Sequence, residues 1–259
     1  MTNTILYEEN NGVGVLRVNR PEARNALNWE AQQGFVRAVT AAAESRSLRV
    51  LIITGTGPTF VAGGDLKELA GEMTPESGVR LNRIMSEALE QLAKLPLPVL
   101  AAVNGDAAGG GCEIIAACDL RLAAEDAQLR WVQVRMGLTT GWGGTARLVR
   151  LIGASRAMAL LLTGESISAA EAYRIGFVQR LVPAGEPVLP VAIAWAQRLA
   201  ALPRDALGAT KELVRLAGRS TEAAASAEPE LFAALWGGTN HQEAVAAFLE
   251  KRSPHFDRD

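Results

Sequence analysis

The stretch Leu100-Ala101-Ala102-Val103-Asn104-Gly105-Asp106-Ala107-Ala108-Gly109-Gly110-Gly111-Cys112-Glu113 decides the fold. Its apolar opening, preceded by Leu95-Pro96-Leu97-Pro98, predicts a short buried strand. Three glycines then turn the chain into a predicted helix within Gly-Cys-Glu-Ile-Ile-Ala-Ala-Cys-Asp-Leu. The same design stands earlier, as Ile52-Ile53-Thr54 followed by Thr59-Phe60-Val61-Ala62-Gly63-Gly64-Asp65-Leu66. Glycine tolerates positive φ and leaves its N–H uncovered by a Cβ. A helix that starts there adds a positive dipole end and unpaired amides. One such turn suits a phosphate or carboxylate. Two of them, facing each other at the ends of neighbouring strands, would hold one developing oxyanion from both sides, each donor worth roughly 3–4 kcal/mol in a transition state. The competing reading is two tight turns without function. Neither carries the G-x-G-x-x-G spacing of a dinucleotide site or the GK[ST] of a phosphate loop.

Outward from these turns, the first half alternates strands and helices. Ile5-Leu6-Tyr7 and Val13 to Val18 flank the turn signal Asn10-Asn11-Gly12 and predict a hairpin. Asn28 is placed to cap a helix from about Trp29 to Ala43. Val50 to Thr54 predicts a buried strand, about Glu76 to Leu95 a second helix, and Asp119 to Ala123 a third buried strand. From Gly143 onward alanine-rich helical patterns dominate, broken by one short strand, Phe177 to Val182. The pattern predicts an α/β core with a helical C-terminal part, residues 1–190 and 191–259 of one continuous fold.

Composition removes whole classes of function. The chain has 259 residues and a net charge of −2, so nothing draws it to nucleic acid or an anionic membrane. The helix after Asn28 holds Arg37 and no lysine, which weighs against RNA binding. Only two histidines occur, His241 and His255, both near the C-terminus, and two cysteines, Cys112 and Cys118. A metal site or a Ser–His–Asp machine would draw on a very thin supply, and none is expected. The cysteines stand six apart on one predicted helix, so they face different sides and no disulfide is expected. The start lacks the basic and apolar segments of a signal peptide, and no apolar run is long enough for a membrane span. The expected location is the cytoplasm.

In order and spacing, several motifs resemble those of the crotonase superfamily, the enoyl-CoA hydratase/isomerase family. They are Asn19-Arg20-Pro21-Glu22-Ala23-Arg24-Asn25-Ala26-Leu27, Phe60 to Leu66, Gly109 to Glu113, Gly143-Gly144-Thr145-Ala146-Arg147-Leu148, Leu162-Thr163-Gly164, Ala169 to Ala172 with Gly176-Phe177-Val178, and Ala246 to Arg252. The resemblance implies a ββα spiral core with a helical trimerisation region, commonly assembled as a trimer or a hexamer of two trimers. It implies an acyl-CoA thioester substrate and no cofactor beyond the coenzyme A carried by that substrate. Carried over by position, the oxyanion hole falls on the N–H groups of Gly64 and Gly110. The coenzyme A positions fall on Arg24, Ala62, Lys67 and, from a neighbouring subunit, Lys251.

The reaction is where the chain departs from the pattern it resembles. Glu113 matches one of the two catalytic glutamates of the hydratases; its bland reading is that it complements a helix N-terminus. The second glutamate position holds Gln133, which can orient water but cannot carry a proton near neutral pH. Hydration and double-bond isomerisation both lose a group there. Decarboxylation of a short malonyl-type CoA makes fewer demands, because loss of CO2 leaves the enolate without a base. Arg130-Trp131-Val132, Met136-Gly137, Trp142-Gly143-Gly144 and Leu235-Trp236-Gly237-Gly238 also resemble ethylmalonyl-CoA decarboxylases. The sequence reading therefore favours a lyase acting through a thioester enolate by decarboxylation. Hydration with Glu113 as acid and base is the alternative, and an RNA-binding or non-catalytic family member a remote one.

Overall fold

The Asn10-Asn11-Gly12 signal closes a hairpin. In the computed structural model, which describes residues 3–69, 71, 74–218 and 220–256, β1 (Ile5–Asn10) and β2 (Val13–Val18) pair antiparallel with Asn10 opposite Val13. Asn11 and Gly12, both at positive φ, form the two-residue turn that matches strand twist. The chain then runs through α1 (Trp29–Glu44), β3 (Val50–Gly55), β4 (Thr59–Val61), α2 (Leu66–Leu69), α3 (Pro75–Lys94), β5 (Val99–Val103), β6 (Asp106–Ala108), α4 (Gly110–Ala117), β7 (Leu120–Ala124) and β8 (Gln128–Arg130). It continues through α5 (Gly144–Ile152), α6 (Ala154–Thr163), β9 (Ser166–Ser168), α7 (Ala169–Arg174), β10 (Arg180–Val182), α8 (Val188–Ala200), α9 (Arg204–Ala217), α10 (Thr221–Leu235) and α11 (Thr239–Glu250).

Strands pair in two sheets, ordered β1-β2-β3-β5-β7-β10 and β4-β6-β8-β9. Each pass of the chain lays one strand in the first sheet and a short one in the second, then returns by a helix: β3-β4, β5-β6, β7-β8. That repeated ββα unit is the spiral that the family resemblance implied. β3 and β5 are buried along their whole length, which is why they read as unbroken apolar runs without alternation. Asn28 caps α1 as expected, its Oδ1 accepting from the Ala31 N–H at 2.9 Å.

Two expectations change. The glycine turns do not follow β3 and β5 directly but the three-residue strands β4 and β6, too short and too mixed in composition to read as strands. The predicted strand from Phe177 shrinks to β10, because the Phe177 and Val178 amides both bond the Ala172 carbonyl to close α7. Cys112 and Cys118 are buried and unbridged, and burial pushes the Cys118 thiol up to about 12. Among the described residues, no helix is long and apolar enough to cross a membrane.

Candidate active site

β4 and β6 run parallel as neighbours, Thr59 opposite Asp106 and Val61 opposite Ala107. The turns after them therefore begin side by side. Gly63, at φ +97°, crosses so close to the second turn that a methyl group on it would stand 3.2 Å from both the Ala108 oxygen and the Gly110 nitrogen. Gly64 is bridged to Leu27 by bonds from the Leu27 amide to the Gly63 oxygen (2.8 Å) and from the Asp65 amide to the Leu27 oxygen (3.0 Å). In a parallel bridge of this kind the middle residue's own N–H points away from its partner, so the Gly64 amide faces out of the bridge. Gly110 is the first residue of α4 and its amide has no intrahelical acceptor. Two adjacent turns thus present one main-chain donor each.

A network that sequence reading did not foresee holds the first turn. Arg20, almost fully buried, pairs with Asp65 at 2.8 Å and Glu68 at 3.1 Å and also donates to the Ala26 carbonyl. Asn28 donates to both oxygens of Glu68 at 2.9 Å. Asn25, buried at φ +57°, accepts from the Arg20 amide at 2.9 Å and donates to the Thr56 and Thr59 carbonyls. The Arg20 to Leu27 motif is thereby a clamp on the Gly64 turn. Burial pushes the Asp65 carboxyl up, but the hydrogen bond and charge of Arg20 outweigh it and hold it below the ordinary carboxylate range. Folded Asp65 stays ionised where an unfolded aspartate, near pH 3.9, takes up a proton. The pair's contribution is therefore complete above roughly pH 5 and is lost as pH falls through the folded value. Asp65→Asn is expected to cost roughly 1–2 kcal/mol at neutral pH, because Arg20 loses the shorter of its two ion pairs while keeping Glu68 and the Ala26 carbonyl. It should also flatten the acid limb of urea-unfolding stability, and an acid limb parallel to the wild type would refute the assignment.

Glu113 lies one turn into α4 and is 2% exposed. Its Oε1 accepts from Gln133 Nε2 at 2.9 Å and the Gly141 amide at 3.2 Å; its Oε2 accepts from the Trp142 amide at 2.7 Å and the Gly144 amide at 2.8 Å. Four donors fill the four lone-pair directions of the carboxylate. Glu113 therefore complements a helix N-terminus, but that of α5 and the turn before it rather than that of its own helix. Gln133 sits in a single 3-10 segment, Val132–Met136, and its Oε1 is buried without a partner among the described residues. The sequence reading paired Glu113 with Gln133, and the two side chains do touch. The 141–144 amide cradle was not foreseen; the Gly141, Gly143 and Gly144 cluster was its one visible signal.

Of Trp142 and Trp236, Trp142 belongs to this site. A Cβ on Gly110 would fall 2.0 Å from its ring, so the indole lies against the start of α4. Trp236 instead stacks between Phe232 and His241 at the α10–α11 junction, with ring centroids 5.3 and 4.6 Å away.

The basic positions divide. Arg24 is exposed, and its carbonyl accepts from the Ala62 amide at 3.2 Å, which joins the two beside the Gly64 turn. Lys67 is exposed on α2, three residues on, with no ion-pair partner among the described residues. Lys251 follows α11 in the C-terminal helices, and no hydrogen bond or ion pair joins it to the other three.

A ββα spiral with two main-chain donors at adjacent turns is the arrangement that the family resemblance implied. The enoyl-CoA hydratase/isomerase family profile matches residues 8–259, and the chain belongs to that family. A probable enoyl-CoA hydratase of Mycobacterium tuberculosis is 37% identical over 254 residues, 98% of this chain and 97% of that protein. The crotonyl-CoA hydratase of Syntrophomonas wolfei is 38% identical over 258 residues, covering 97% of both chains. Among solved structures, an enoyl-CoA hydratase from Bacillus anthracis superposes with a TM-score of 0.93 at 34% identity, covering 99% of this chain and 100% of that one. These relatives are hydratases by name, and none of the three carries the name of a decarboxylase.

Proposed function

We infer that the chain hydrates a 2-enoyl-CoA, with Glu113 as the one proton carrier. The observation that carries this reading is the Glu113–Gln133 pair, 2.9 Å apart, with a buried acceptor left over on Gln133. Three of the four donors to Glu113 are main-chain amides in a glycine-rich turn; Gln133 alone can be swung aside by side-chain rotation. A water taking its place would donate one hydrogen to Glu113 and the other to Gln133 Oε1. As the water oxygen bonds to Cβ, Glu113 takes its proton. The double-bond electrons pass to the thioester oxygen between the amides of Gly64 and Gly110. The same carboxyl then returns the proton to Cα on that face, giving the 3-hydroxyacyl-CoA. On this reading Arg24, Ala62 and Lys67, beside the Gly64 turn, would bind the coenzyme A, with Lys251 supplied by a neighbouring copy in a trimer or hexamer. The cytoplasm, where acyl-CoA thioesters are made and consumed, is the compartment this reading places it in.

Decarboxylation of a short malonyl-type CoA is the second reading, and one observation favours it: a carboxylate wrapped by four N–H groups, with no second carboxylate bonded into that cluster among the described residues, suits an enolate formed by CO2 loss rather than by a base. Product analysis by mass spectrometry separates the two. Hydration of crotonyl-CoA with ethylmalonyl- and methylmalonyl-CoA untouched is expected, and the reverse pattern would overturn the inference.

Gln133→Glu sharpens this. A carboxylate placed 2.9 Å from Glu113 forces the pair to share a proton, which restores a donor for Cα. Hydratase turnover is expected to rise about tenfold or more, and an unchanged rate would remove Gln133 from the proposed site.

A further inference from the structure

The cradle of Glu113 is itself held from behind. Trp142 offers its N–H to Glu113 at 2.7 Å, and its carbonyl accepts from Arg147 Nη1, also at 2.7 Å. Arg147 lies on α5, one turn beyond Gly144, with its side chain 9% exposed. Gly143, at φ +80°, backs onto the guanidinium so closely that a methyl group there would stand 2.7 Å from Nη1. Only glycine lets the chain pass between the cation and the site. The remaining contact of Arg147, to the half-exposed Glu90, is longer at 3.5 Å.

We propose that Arg147 is a positioning residue, which fixes the Trp142 and Gly143 backbone so that the amides of 141, 142 and 144 converge on Glu113. The proposal rests on Glu113 being the group that moves the proton. A short charge-assisted bond to a carbonyl is stiff, whereas a glycine-rich turn without it has many accessible backbone conformations. Arg147 reaches the cradle through the Trp142 carbonyl, so its loss acts through geometry, and misplacement of about 1 Å is enough to cost on the order of 10²-fold in rate.

The structure supplies a direct test. Arg147 lines a cleft of about 510 Å3 open to solvent, together with Glu90, Asp119, Arg150 and Lys211. A guanidinium ion can therefore reach the space left in Arg147→Ala. With crotonyl-CoA as the probe, kcat of that variant is expected to fall about 10²-fold with KM within about threefold. Guanidinium at about 50 mM, far below unfolding concentrations, should restore at least about tenfold. Glu90→Gln removes the ion pair but leaves the Trp142 bond, and is expected to stay within about threefold of wild type. Amide hydrogen exchange over 141–144 should quicken in Arg147→Ala and stay unchanged in Glu90→Gln.

Turnover of Arg147→Ala near the wild-type rate would overturn the proposal. So would an equal loss in Glu90→Gln, or unchanged exchange over 141–144. Should Arg147→Ala not fold, Arg147→Lys replaces the fork by a single point of charge, and wild-type kcat in that variant would likewise overturn it. If the wild-type protein does not hydrate crotonyl-CoA, the hydratase reading fails by itself, while the exchange measurement still decides whether Arg147 holds the cradle.

Discussion

Glu113→Gln is expected to lower turnover about 10³-fold with little change in KM, because it removes the side chain proposed to carry the proton. Its effect on stability should be small by comparison. The new carbonyl can face the amides of Trp142 and Gly144, which now lie 2.7 and 2.8 Å from Oε2. The new NH2 then meets Gln133, whose own amide can flip to present Oε1. Only the Gly141 amide is left against a donor, a loss of roughly 1–2 kcal/mol. Steady-state kinetics beside a thermal melt would separate the two effects. If Glu113→Gln turns over crotonyl-CoA at the wild-type rate, the proton carrier lies elsewhere. If it loses hydratase activity but still decarboxylates a malonyl-type thioester, the second reading gains at the expense of the first.

Gly110→Ala should do comparable damage for a different reason. Gly110 is absent from the positions with positive φ, so an alanine backbone is unstrained there and space alone decides the outcome. Its Cβ would meet three atoms of the Trp142 ring at 2.0, 2.4 and 2.5 Å. Either the ring leaves, taking the Trp142 amide from Glu113, or the start of α4 moves, turning the Gly110 N–H away from the oxyanion it is proposed to hold. Both routes reach the proposed chemistry, and a loss of about 10²–10³ in kcat is expected. Overpacking should cost a further 1–3 kcal/mol or so of stability. The double variant Gly110→Ala/Trp142→Ala relieves the clash. Its stability should exceed the sum of the single effects by about 1 kcal/mol or more, and strict additivity would show that the ring is not the obstacle.

Much of this candidate site is legible in the sequence. The twin glycine turns announced themselves because a main-chain donor needs bare backbone, and bare backbone is written as glycine. Gln133 and Glu113 were paired by family spacing, and their side chains do meet. The Arg20–Asp65–Glu68–Asn28 clamp was not legible, since an arginine in a loop motif reads as solvated charge until the fold buries it. Arg147 was hidden for the same reason: on α5 it looks like one more polar position of an amphipathic helix. The short strands β4 and β6 escaped because three residues such as Asp106-Ala107-Ala108 carry no period of their own. They are ordered by the sheet they join, and that information is tertiary.

The cradle of Glu113 and the turns at Gly64 and Gly110 share one property. Their donors belong to the peptide backbone, and no codon change deletes an amide short of proline. Side-chain variation can bend such a site but cannot remove its polarity, so what remains open to inheritance is the handful of groups that hang into it. At position 133 a single nucleotide substitution converts a glutamine codon into a glutamate codon. A lineage could cross between one proton carrier and two in that step, with the surrounding amides already in place to receive either.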